Sequence, residues 1–440
     1  MKSFSDCEAN WRRCERRGGR DVNGAEVNEQ EAERYLLSLE LFGMRFGLDR
    51  MRRLMTALGR PERSFRSIHV VGTNGKSSTV RMIAAILSHH GLRTGAYLSP
   101  HLTSFCERIR IDDRDLEPAD FAAAVARAAR AAELVDRASG GEDTVTQFEA
   151  LTAAAYSELA RQDVEVAVIE AGLGGRYDAT NVIPSEVQVL TSVGLEHTRW
   201  LGPTLADIAR EKLDVVQPGA TLVLGAKLAD EVTVVAERVA VERNAEIIVT
   251  GIDPGVVVGA PGDFQRRNFA LARTAAQAFL GELDERALAA AAAEVRVPGR
   301  LQQIGSEPLT LVDGAHNPDG MRALVESLRP PLVADGERIV ATVSILDDKD
   351  AAGMLSALLP VCDAVVFTSS HNPRALPPAT LQSLGTQLGG PPSEIVPDPG
   401  RALARARELA GPGGVVIAAG SIYLVADLVS PVGSRRASTL

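Results

Sequence analysis

The sequence has few cysteines, and they are not arranged in pairs. Cys7, Cys14, Cys106 and Cys362 are the four cysteines among 440 residues. Their wide spacing lacks the clustered ligands of a zinc site and does not indicate a disulfide framework. We therefore expect reduced thiols, which are typical of a cytoplasmic protein.

The sequence also lacks long apolar runs and an excess of positive charge. No stretch approaches the roughly 20 apolar residues that cross a membrane, and the first residues lack the apolar segment of a signal peptide. The net charge of −10 argues against nucleic-acid binding, which needs a basic surface. We expect a monomer without a nucleic-acid or membrane partner, although local Arg and Lys residues can still form a pocket for an anion.

The pattern that is present indicates an α/β fold with two domains. Hydrophobic residues make up 45% and charged residues 24%, as in globular proteins, and the length exceeds one ordinary core. Short apolar strands alternate with amphipathic helices, which predicts mostly parallel sheets. Residues 1–30 are polar and aperiodic and are expected to be disordered. Because Pro298 and Gly299 break the helical pattern, we place the domains at 31–296 and 297–440, the second a smaller Rossmann-like domain.

One segment of the first domain has the pattern of a phosphate-binding loop. An apolar strand ending at Val71 runs into a glycine-containing loop, and a helix is predicted from Ser77 to His90. Glycines let backbone N–H groups converge on phosphate oxygens, and the helix N terminus and a lysine add positive charge. Only two residues separate the glycines, against four in the common P-loop, so a structural turn is the alternative. The order of features favours nucleotide binding by Gly72, Thr73, Asn74, Gly75, Lys76, Ser77 and Ser78.

A second signal is a carboxylate at the end of an apolar strand. Glu170 ends the strand VEVAVIE and is followed by three glycines, with Arg176 and Asp178 beyond them. Ligands bind at the carboxyl ends of strands in open α/β sheets, and a carboxylate suits Mg²⁺. Arg176 and Asp178 are candidate substrate contacts. The alternative is a glycine-rich turn with a solvated glutamate.

Together these motifs resemble a known family. G-T-N-G-K followed by serine resembles the Mur-type ATP-dependent ligases, and the wider sequence is similar to their folylpolyglutamate synthase and dihydrofolate synthase branch. The similarity covers residues 35–428 and includes YLSPHL, TQFEALT, VGLEHTRWLG and LVDGAHNPDG. It implies a P-loop-containing, mostly parallel sheet domain followed by the Rossmann-like domain.

The resemblance also implies roles for individual residues. Ser99, Glu170 and His197 correspond to ligands of Mg²⁺, of which two ions are expected, and Lys212 corresponds to a lysine that is often carbamylated. Lys76, Lys212 and His316 are the expected catalytic residues, with His316 near the acyl phosphate and the amino acid. Asn268, Arg300 and Asp313 match positions that contact ATP. Substrate contacts are expected from Phe148, Arg176, Tyr177, Asp178, His371 and Arg374, with Phe148 packing on a pterin ring.

The chain departs from the branch at three positions close to these residues. Ser77 stands where glycine is usual, Tyr177 where leucine is more usual, and Arg199 where aspartate is common. The Ser77 hydroxyl can either reach Mg²⁺ or crowd the phosphates.

The expected reaction is ATP-dependent amide-bond formation. A folate or dihydropteroate carboxylate attacks the γ-phosphoryl group, and L-glutamate then attacks the acyl phosphate. Two alternatives remain open at this point. One is a cell-wall ligase of the same superfamily that acts on a UDP-sugar substrate, and the other is a nucleotide-binding module without ligase activity.

Overall fold

The computed structural model describes residues 28–40, 47–140, 143–330, 332–334 and 336–430. The predicted disordered extension, 1–30, therefore lies almost wholly outside the described residues. At residue 28 the chain is already capping a helix, because the Asn28 side chain accepts a hydrogen bond from the Glu31 backbone N–H. No helix in these ranges is both long enough and apolar enough to span a bilayer.

An eight-stranded sheet forms the first domain, with strand order β4-β3-β2-β5-β1-β6-β7-β8. Six neighbouring strands, β2, β5, β1, β6, β7 and β8, are parallel. The other two, β3 and β4, are antiparallel and lie at one edge. The strands are β1 Arg66–Val71, β2 Thr94–Tyr97, β3 Ile109–Ile111, β4 Arg114–Asp115, β5 Val166–Glu170, β6 Val187–Leu190, β7 Thr221–Leu224 and β8 Glu246–Val249.

Helices cover both faces of this sheet. They are α1 Glu29–Ser38, α2 Asp49–Ala57, α3 Lys76–His89, α4 Pro118–Ala138, α5 Gln147–Arg161, α6 Thr198–Leu201, α7 Leu205–Leu213, α8 Asp230–Arg243, α9 Asp263–Leu280 and α10 Glu285–Glu294. The central strands β1, β5 and β6 are almost wholly buried because helices lie on either side of them, as parallel sheets require. On one face α3 lies between the sheet and α9, where Phe269 is completely buried.

A six-stranded sheet forms the second domain, with order β13-β12-β11-β14-β10-β9 and only β9 antiparallel. Its strands are β9 Gln302–Ser306, β10 Leu309–Val312, β11 Ile339–Val343, β12 Ala364–Phe367, β13 Ser393–Ile395 and β14 Val415–Ala419. Its helices are α11 Pro318–Ser327, α12 Ala351–Leu358, α13 Pro378–Gln387, α14 Pro399–Ala410 and α15 Ile422–Val429. The proposed boundary at 296/297 falls in the connection between α10 and β9.

The predicted fold class is confirmed, and the structure adds elements that the pattern did not indicate. The first helical region of the chain is two helices, α1 and α2, and residues 41–46 between them lie outside the described ranges. The edge strands β3, β4, β8, β9 and β13 and the helices α6 and α8 were not predicted. Short edge strands such as β8, with exposed ends, do not have the continuous apolar run that marks a central strand.

The strand order places the motifs next to one another. β2, β5, β1 and β6 are consecutive in the sheet, so the segments that follow them meet at its carboxyl edge. The glycine loop after β1 thus lies between Glu170 at the end of β5 and Thr191 after β6. The second domain faces this edge, and Leu102 of the first domain packs into its apolar cluster.

We expect Phe269→Ala to destabilise the first domain strongly. The Phe269 ring is fully buried between α9 and the helix that follows the glycine loop, and truncation of such a ring lowers the free energy of unfolding by about 3–5 kcal/mol. Urea denaturation monitored by circular dichroism measures the change. Val241→Ala is the control, because Val241 is 83% exposed. Equal midpoints for the two variants would contradict this account of the core.

Candidate active site

The loop from Gly72 to Gly75 has a shape that only glycine permits at both ends. Gly72 has φ +151°, and a Cβ atom there would lie 1.9 Å from Thr191 Oγ1. Gly75 has φ +86°, and a Cβ atom would lie 2.7 Å from Asn268 Oδ1. Gly75 is also the N-cap of α3 without a capping side chain. The first N–H groups of α3 therefore have no intrahelical acceptor and can bind an anion.

The tip of β6 holds this loop in place. The Thr73 N–H donates to the Ser192 carbonyl at 2.8 Å, and the Asn74 N–H donates to Ser192 Oγ at 2.9 Å. Thr191 Oγ1 donates to the Asn74 carbonyl at 2.7 Å. These bonds leave the loop amides at fixed positions before any ligand arrives.

Two lysines converge on one carbonyl of the loop. Lys76 Nζ donates to the carbonyls of Gly72 and Thr73, both at 3.2 Å, and Lys212 Nζ donates to the Gly72 carbonyl at 2.8 Å. Burial, together with the charge of Lys76, lowers the pKa of Lys212 to about 7. The pair supplies concentrated positive charge and an amine that is partly neutral near physiological pH.

Glu170 is a buried carboxylate that contacts the residue after Lys76. Its Oε1 accepts a hydrogen bond from Ser77 Oγ at 2.9 Å, and its Oε2 accepts one from the Ser99 backbone N–H at 3.1 Å. Burial raises the pKa of Glu170, and the charge of Lys76 opposes this. The Ser77 hydroxyl is thus directed to the carboxylate. Carboxylate and hydroxyl oxygens are ligands that suit a hard divalent cation, so these residues fit the predicted metal site.

His197 follows β6, on the side of the loop opposite Glu170, and its neighbour in the chain is Glu196. His197 is in the left-handed region with φ +53°, and its Nε2 lies 3.8 Å from Glu196 Oε1. Burial lowers the pKa of His197 to about 4, although the Glu196 charge opposes this. The neutral imidazole is the form that binds a metal.

Glu196 itself contacts the second domain. Its Oε1 lies 2.8 Å from Lys349 Nζ and 3.5 Å from His316 Nε2. Burial would raise the pKa of Glu196, but the charges of His316 and Lys349 hold it at about 2. Sequence reasoning missed Glu196, Lys349 and Asn317. Glu196 and Asn317 lie in the motifs VGLEHTRWLG and LVDGAHNPDG, but the pairing of Glu196 with Lys349, 153 positions away, leaves no local signal.

The predicted nucleotide contacts of the second half lie near the loop. Asn268, on α9, lies directly against Gly75. The Arg300 guanidinium packs so closely over Gly314 that a Cβ atom there would lie 2.1 Å from its Nη1. Asp313 is buried, and its two oxygens accept hydrogen bonds from the Leu301 and Ala315 N–H groups, both at 2.8 Å. Burial raises the pKa of Asp313, and Arg300 opposes this.

The predicted substrate contacts divide into two groups. Phe148, Tyr177, Asp178 and Arg374 line one cleft of about 870 Å³ together with the loop, Glu170, His197, Lys212 and His316. Arg176 and His371 do not line this cleft. The Arg176 guanidinium lies 3.7 Å from Asp214, and His371 Nδ1 lies 2.9 Å from Asp427. Both side chains are more than half exposed, so their predicted substrate contacts are not supported by this geometry.

Phe148 has a defined place in the cleft. Its ring lies over Gly172, where a Cβ atom would be 2.6 Å from the ring, and beside Tyr97 at a centroid distance of 6.1 Å. Asp178 is held by its own turn, because Oδ2 accepts from the Leu173 N–H and Oδ1 from the Thr180 N–H. An apolar platform and a fixed carboxylate therefore line the cleft beside Gly172 and Leu173, and the loop and the two lysines line the same cleft.

Comparison with known proteins agrees with this architecture. The two α/β domains, the glycine loop and the cleft between them define a Mur-type ligase fold, and residues 299–422 match the family described as Mur ligase, glutamate ligase domain. The chain is 35% identical over 383 residues to a dihydrofolate synthase/folylpolyglutamate synthase of Mycobacterium tuberculosis, covering 78% of each protein. The chain belongs to the dihydrofolate synthase/folylpolyglutamate synthase family of ATP-dependent ligases.

Solved structures show the same relationship. The M. tuberculosis folylpolyglutamate synthase complexed with ADP superposes with a TM-score of 0.83 at 33% identity, over 90% of this chain and 96% of that one. The bifunctional enzyme of Yersinia pestis complexed with AMPPNP and an Mn ion gives a TM-score of 0.79 at 29% identity, over 91% and 96%. These similarities support the folate-synthase interpretation and not the UDP-sugar ligase or the module without ligase activity.

We expect Lys212→Met to stabilise the protein at neutral pH. An unfolded lysine keeps its proton up to a pH of about 10.5, whereas Lys212 in the folded protein loses it near 7. The unfolded state therefore binds more protons in this window, so the free energy of unfolding rises with pH across it. At pH 7 the burial of a partly protonated lysine lowers the stability of the wild type. Methionine removes this cost, so the free energy of unfolding at pH 7 rises by roughly 2–4 kcal/mol.

Denaturant titrations between pH 6.5 and 10 in buffer free of carbon dioxide test this expectation. The Gly72 carbonyl keeps its hydrogen bond from Lys76 in the variant. Lys227→Met serves as the control, since Lys227 is an exposed lysine on the rim of the same cleft. If the free energy of unfolding of Lys212→Met rose with pH as steeply as that of the wild type, Lys212 would not be the group that causes the rise.

Proposed function

We propose that this protein joins the amino group of L-glutamate to a carboxylate of dihydropteroate, of a folate or of both, with ATP as the source of activation. The observation that carries the proposal is the meeting of Lys76, Lys212 and Glu170 of the first domain with His316 and Lys349 of the second in one cleft. The names of the relatives support the choice of substrates.

The glycine loop binds the phosphates of ATP in this proposal. The free amides at the start of α3 and the Lys76 ammonium face the same volume, and Asn268, Arg300 and Asp313 lie around it. Fixed donors of this kind stabilise the negative charge that develops during phosphoryl transfer. The substrate carboxylate attacks the γ-phosphoryl group, which yields an acyl phosphate and ADP.

Glu170, Ser77 and Ser99 on one side and His197 on the other are proposed to hold two Mg²⁺ ions. The ions, when bound, screen the phosphate charges. Lys212 is proposed to carry a carbamate, because a buried amine with a pKa of about 7 is partly neutral and can react with carbon dioxide. The modification converts a cation at the Gly72 carbonyl into an anion that can face a metal ion.

The two ends of the cleft are assigned to the two organic substrates. Phe148, Tyr177 and Asp178 line the end where a pterin ring can stack on an aromatic face. Lys349 and Arg374, with the buried hydroxyl-bearing Ser421, line the end formed by the second domain and suit the two carboxylates of glutamate. His316 donates through Nδ1 to the Gly314 carbonyl at 2.8 Å, so its Nε2 is the nitrogen that can accept a proton from the incoming ammonium.

We place the reaction in the cytoplasm. We also propose that the protein acts as a monomer. Both substrates and ATP are small molecules, and one chain supplies every side chain named for the cleft. Closure of the second domain over the first excludes water from the acyl phosphate.

A product assay tests this function directly. The purified protein is incubated with ATP, Mg²⁺, L-glutamate and either dihydropteroate or tetrahydrofolate, and mass spectrometry measures the addition of one glutamyl unit. We expect product with at least one acceptor and none with Lys76→Ala. Release of phosphate from ATP at the same rate with and without the acceptor and glutamate, and no glutamylated product, would overturn the proposal.

We expect Gly75→Ala to weaken ADP binding while Gly91→Ala does not. Both glycines have left-handed φ angles, +86° and +85°, and lie at opposite ends of α3. Alanine at either position costs about 1–2 kcal/mol of backbone strain. Only at Gly75 does the new Cβ atom also meet a neighbour, 2.7 Å away at Asn268 Oδ1, whereas nothing lies within 4 Å of it at Gly91.

Isothermal titration with ADP and Mg²⁺ provides the measurement. The dissociation constant of Gly75→Ala should rise by tenfold or more, which is about 1.4 kcal/mol, and that of Gly91→Ala should match the wild type. Equal affinities for the two variants would mean that the loop geometry does not determine nucleotide binding.

A further inference from the structure

Glu196 is a first-domain residue whose carboxylate is bound almost entirely by the second domain. It lies between β6 and α6, with a side chain that is only 11% exposed. Oε1 pairs with Lys349 Nζ at 2.8 Å and lies 3.5 Å from His316 Nε2, and Oε2 accepts a hydrogen bond from Asn317 Nδ2 at 3.3 Å. These three partners come from two separate segments of the second domain.

Asn317 extends the same contacts to the glycine loop. Its side-chain amide forms a reciprocal pair with that of Asn74, with Nδ2–Oδ1 distances of 2.9 and 3.1 Å. Asn317 Oδ1 also accepts from the Gly320 N–H at 2.8 Å and so caps α11. Asn74, Glu196, His316, Asn317 and Lys349, which we call the interdomain network, thus connect the phosphate loop to the side of the cleft assigned to glutamate.

The network differs from other contacts between the domains. Arg329 and Asp263 also pair across the boundary, but the Arg329 side chain is 64% exposed, and such pairs contribute little. The Glu196 and Lys349 side chains are only 11% and 12% exposed, so removal of either charge takes away the shortest ion pair of the other in a poorly solvated place. A contact of this kind holds the position of its members much more strictly than a surface ion pair does.

We propose that Glu196 is a positioning residue for the amide-forming half of the reaction, which holds Lys349 and His316 of the second domain against the phosphate loop. The inference rests on the proposed function. The side chains that receive glutamate then lie beside the acyl phosphate when it forms, so the amine reaches the acyl carbon before water does.

The chemistry of the second half-reaction makes this role measurable. His316 Nε2 takes one proton from the glutamate ammonium, which frees the amine. When the amine attacks, a C–N bond forms, the C–O bond to phosphate breaks, and the second proton leaves with the phosphate. When water attacks, the same C–O bond breaks, but the carboxylate is regenerated and no amide forms. Both routes release one phosphate, so the ratio of phosphate to amide measures the fraction of the acyl phosphate that is hydrolysed.

The experiment compares the full-length wild type with Glu196→Gln, which keeps the size of the side chain and removes its charge. Phosphate and glutamylated product are measured in the same reactions over a range of glutamate concentrations. We expect the KM for glutamate to rise by roughly 10- to 100-fold, the range for loss of a charged hydrogen bond. The phosphate-to-amide ratio should rise above the wild-type ratio at low glutamate, while the KM for ATP stays within about threefold, since that change is below the effect of one such bond.

Arg329→Gln is the matched control, because it removes an interdomain ion pair that lies on the surface. It should leave both the KM for glutamate and the phosphate-to-amide ratio unchanged. A general weakening of the domain contact would change the two variants alike, and that result would overturn a specific role for Glu196.

A second comparison uses Lys349→Met and the double variant. If Glu196 acts through Lys349, the double variant should have a KM for glutamate no higher than that of the more affected single variant. Fold-changes that multiply would overturn the inference. If Glu196→Gln does not fold, Asn317→Ala, which breaks the network from the second domain, is tested for the same change in the phosphate-to-amide ratio.

The two proposals fail in different ways. A wild-type protein that forms no glutamylated product contradicts the proposed function. A wild type that forms product, alongside a Glu196→Gln variant with unchanged KM for glutamate and unchanged ratio, contradicts only the inference about Glu196.

Discussion

The cleft depends on a concentration of positive charge at one backbone carbonyl. Lys76 and Lys212 both hydrogen-bond to the Gly72 oxygen, within a loop that the tip of β6 and Asn268 confine. Burial is the main reason that the pKa of Lys212 is lowered, and the repulsion between the two ammonium groups adds to it. An anionic ligand or an anionic modification relieves the repulsion, so the unliganded arrangement is prepared for negative charge.

Around this centre the protein keeps residues that do not favour its own stability. Lys212 and Glu170 are buried ionisable groups whose pKa values move toward the neutral form. Gly72 and Gly75 give up side-chain packing so that the loop can pass close to Thr191 and Asn268. The apolar cores on either side, built from α3 and α9 on one face and α4 and α5 on the other, offset these local costs. The costs at these four residues all fall at the carboxyl edge of the sheet, where the chemistry is proposed to occur.

The second domain completes the site and does not only cover it. Glu196 and Asn74 of the first domain bind Lys349 and Asn317 of the second. A reaction in two steps, with an intermediate that water can destroy, gains from such a link. The residues that hold the second substrate are then placed with reference to those that activate the first.

Much of the fold and part of the site follow from the sequence alone. The alternation of apolar strands and amphipathic helices is a local property, so the fold class was predictable. The helix after the loop was predicted to within one residue at each end. The glycine loop and Glu170 were also found, because a strand followed by glycines and a charged residue is contiguous in the chain. Edge strands and α8 were missed, since they lack the strong pattern of a central element.

Tertiary structure alone determined which side chains share the cleft. Asp178 and Arg176 stand two positions apart, yet only Asp178 lines the cleft with Phe148, whereas Arg176 turns outward to Asp214. Glu196 and Lys349 are separated by 153 positions and form an interdomain ion pair of 2.8 Å in the cleft. Periodicity and motifs record the neighbours of a residue along the chain. The direction of a side chain at a strand tip, and its partner across a domain boundary, depend on how the two sheets pack.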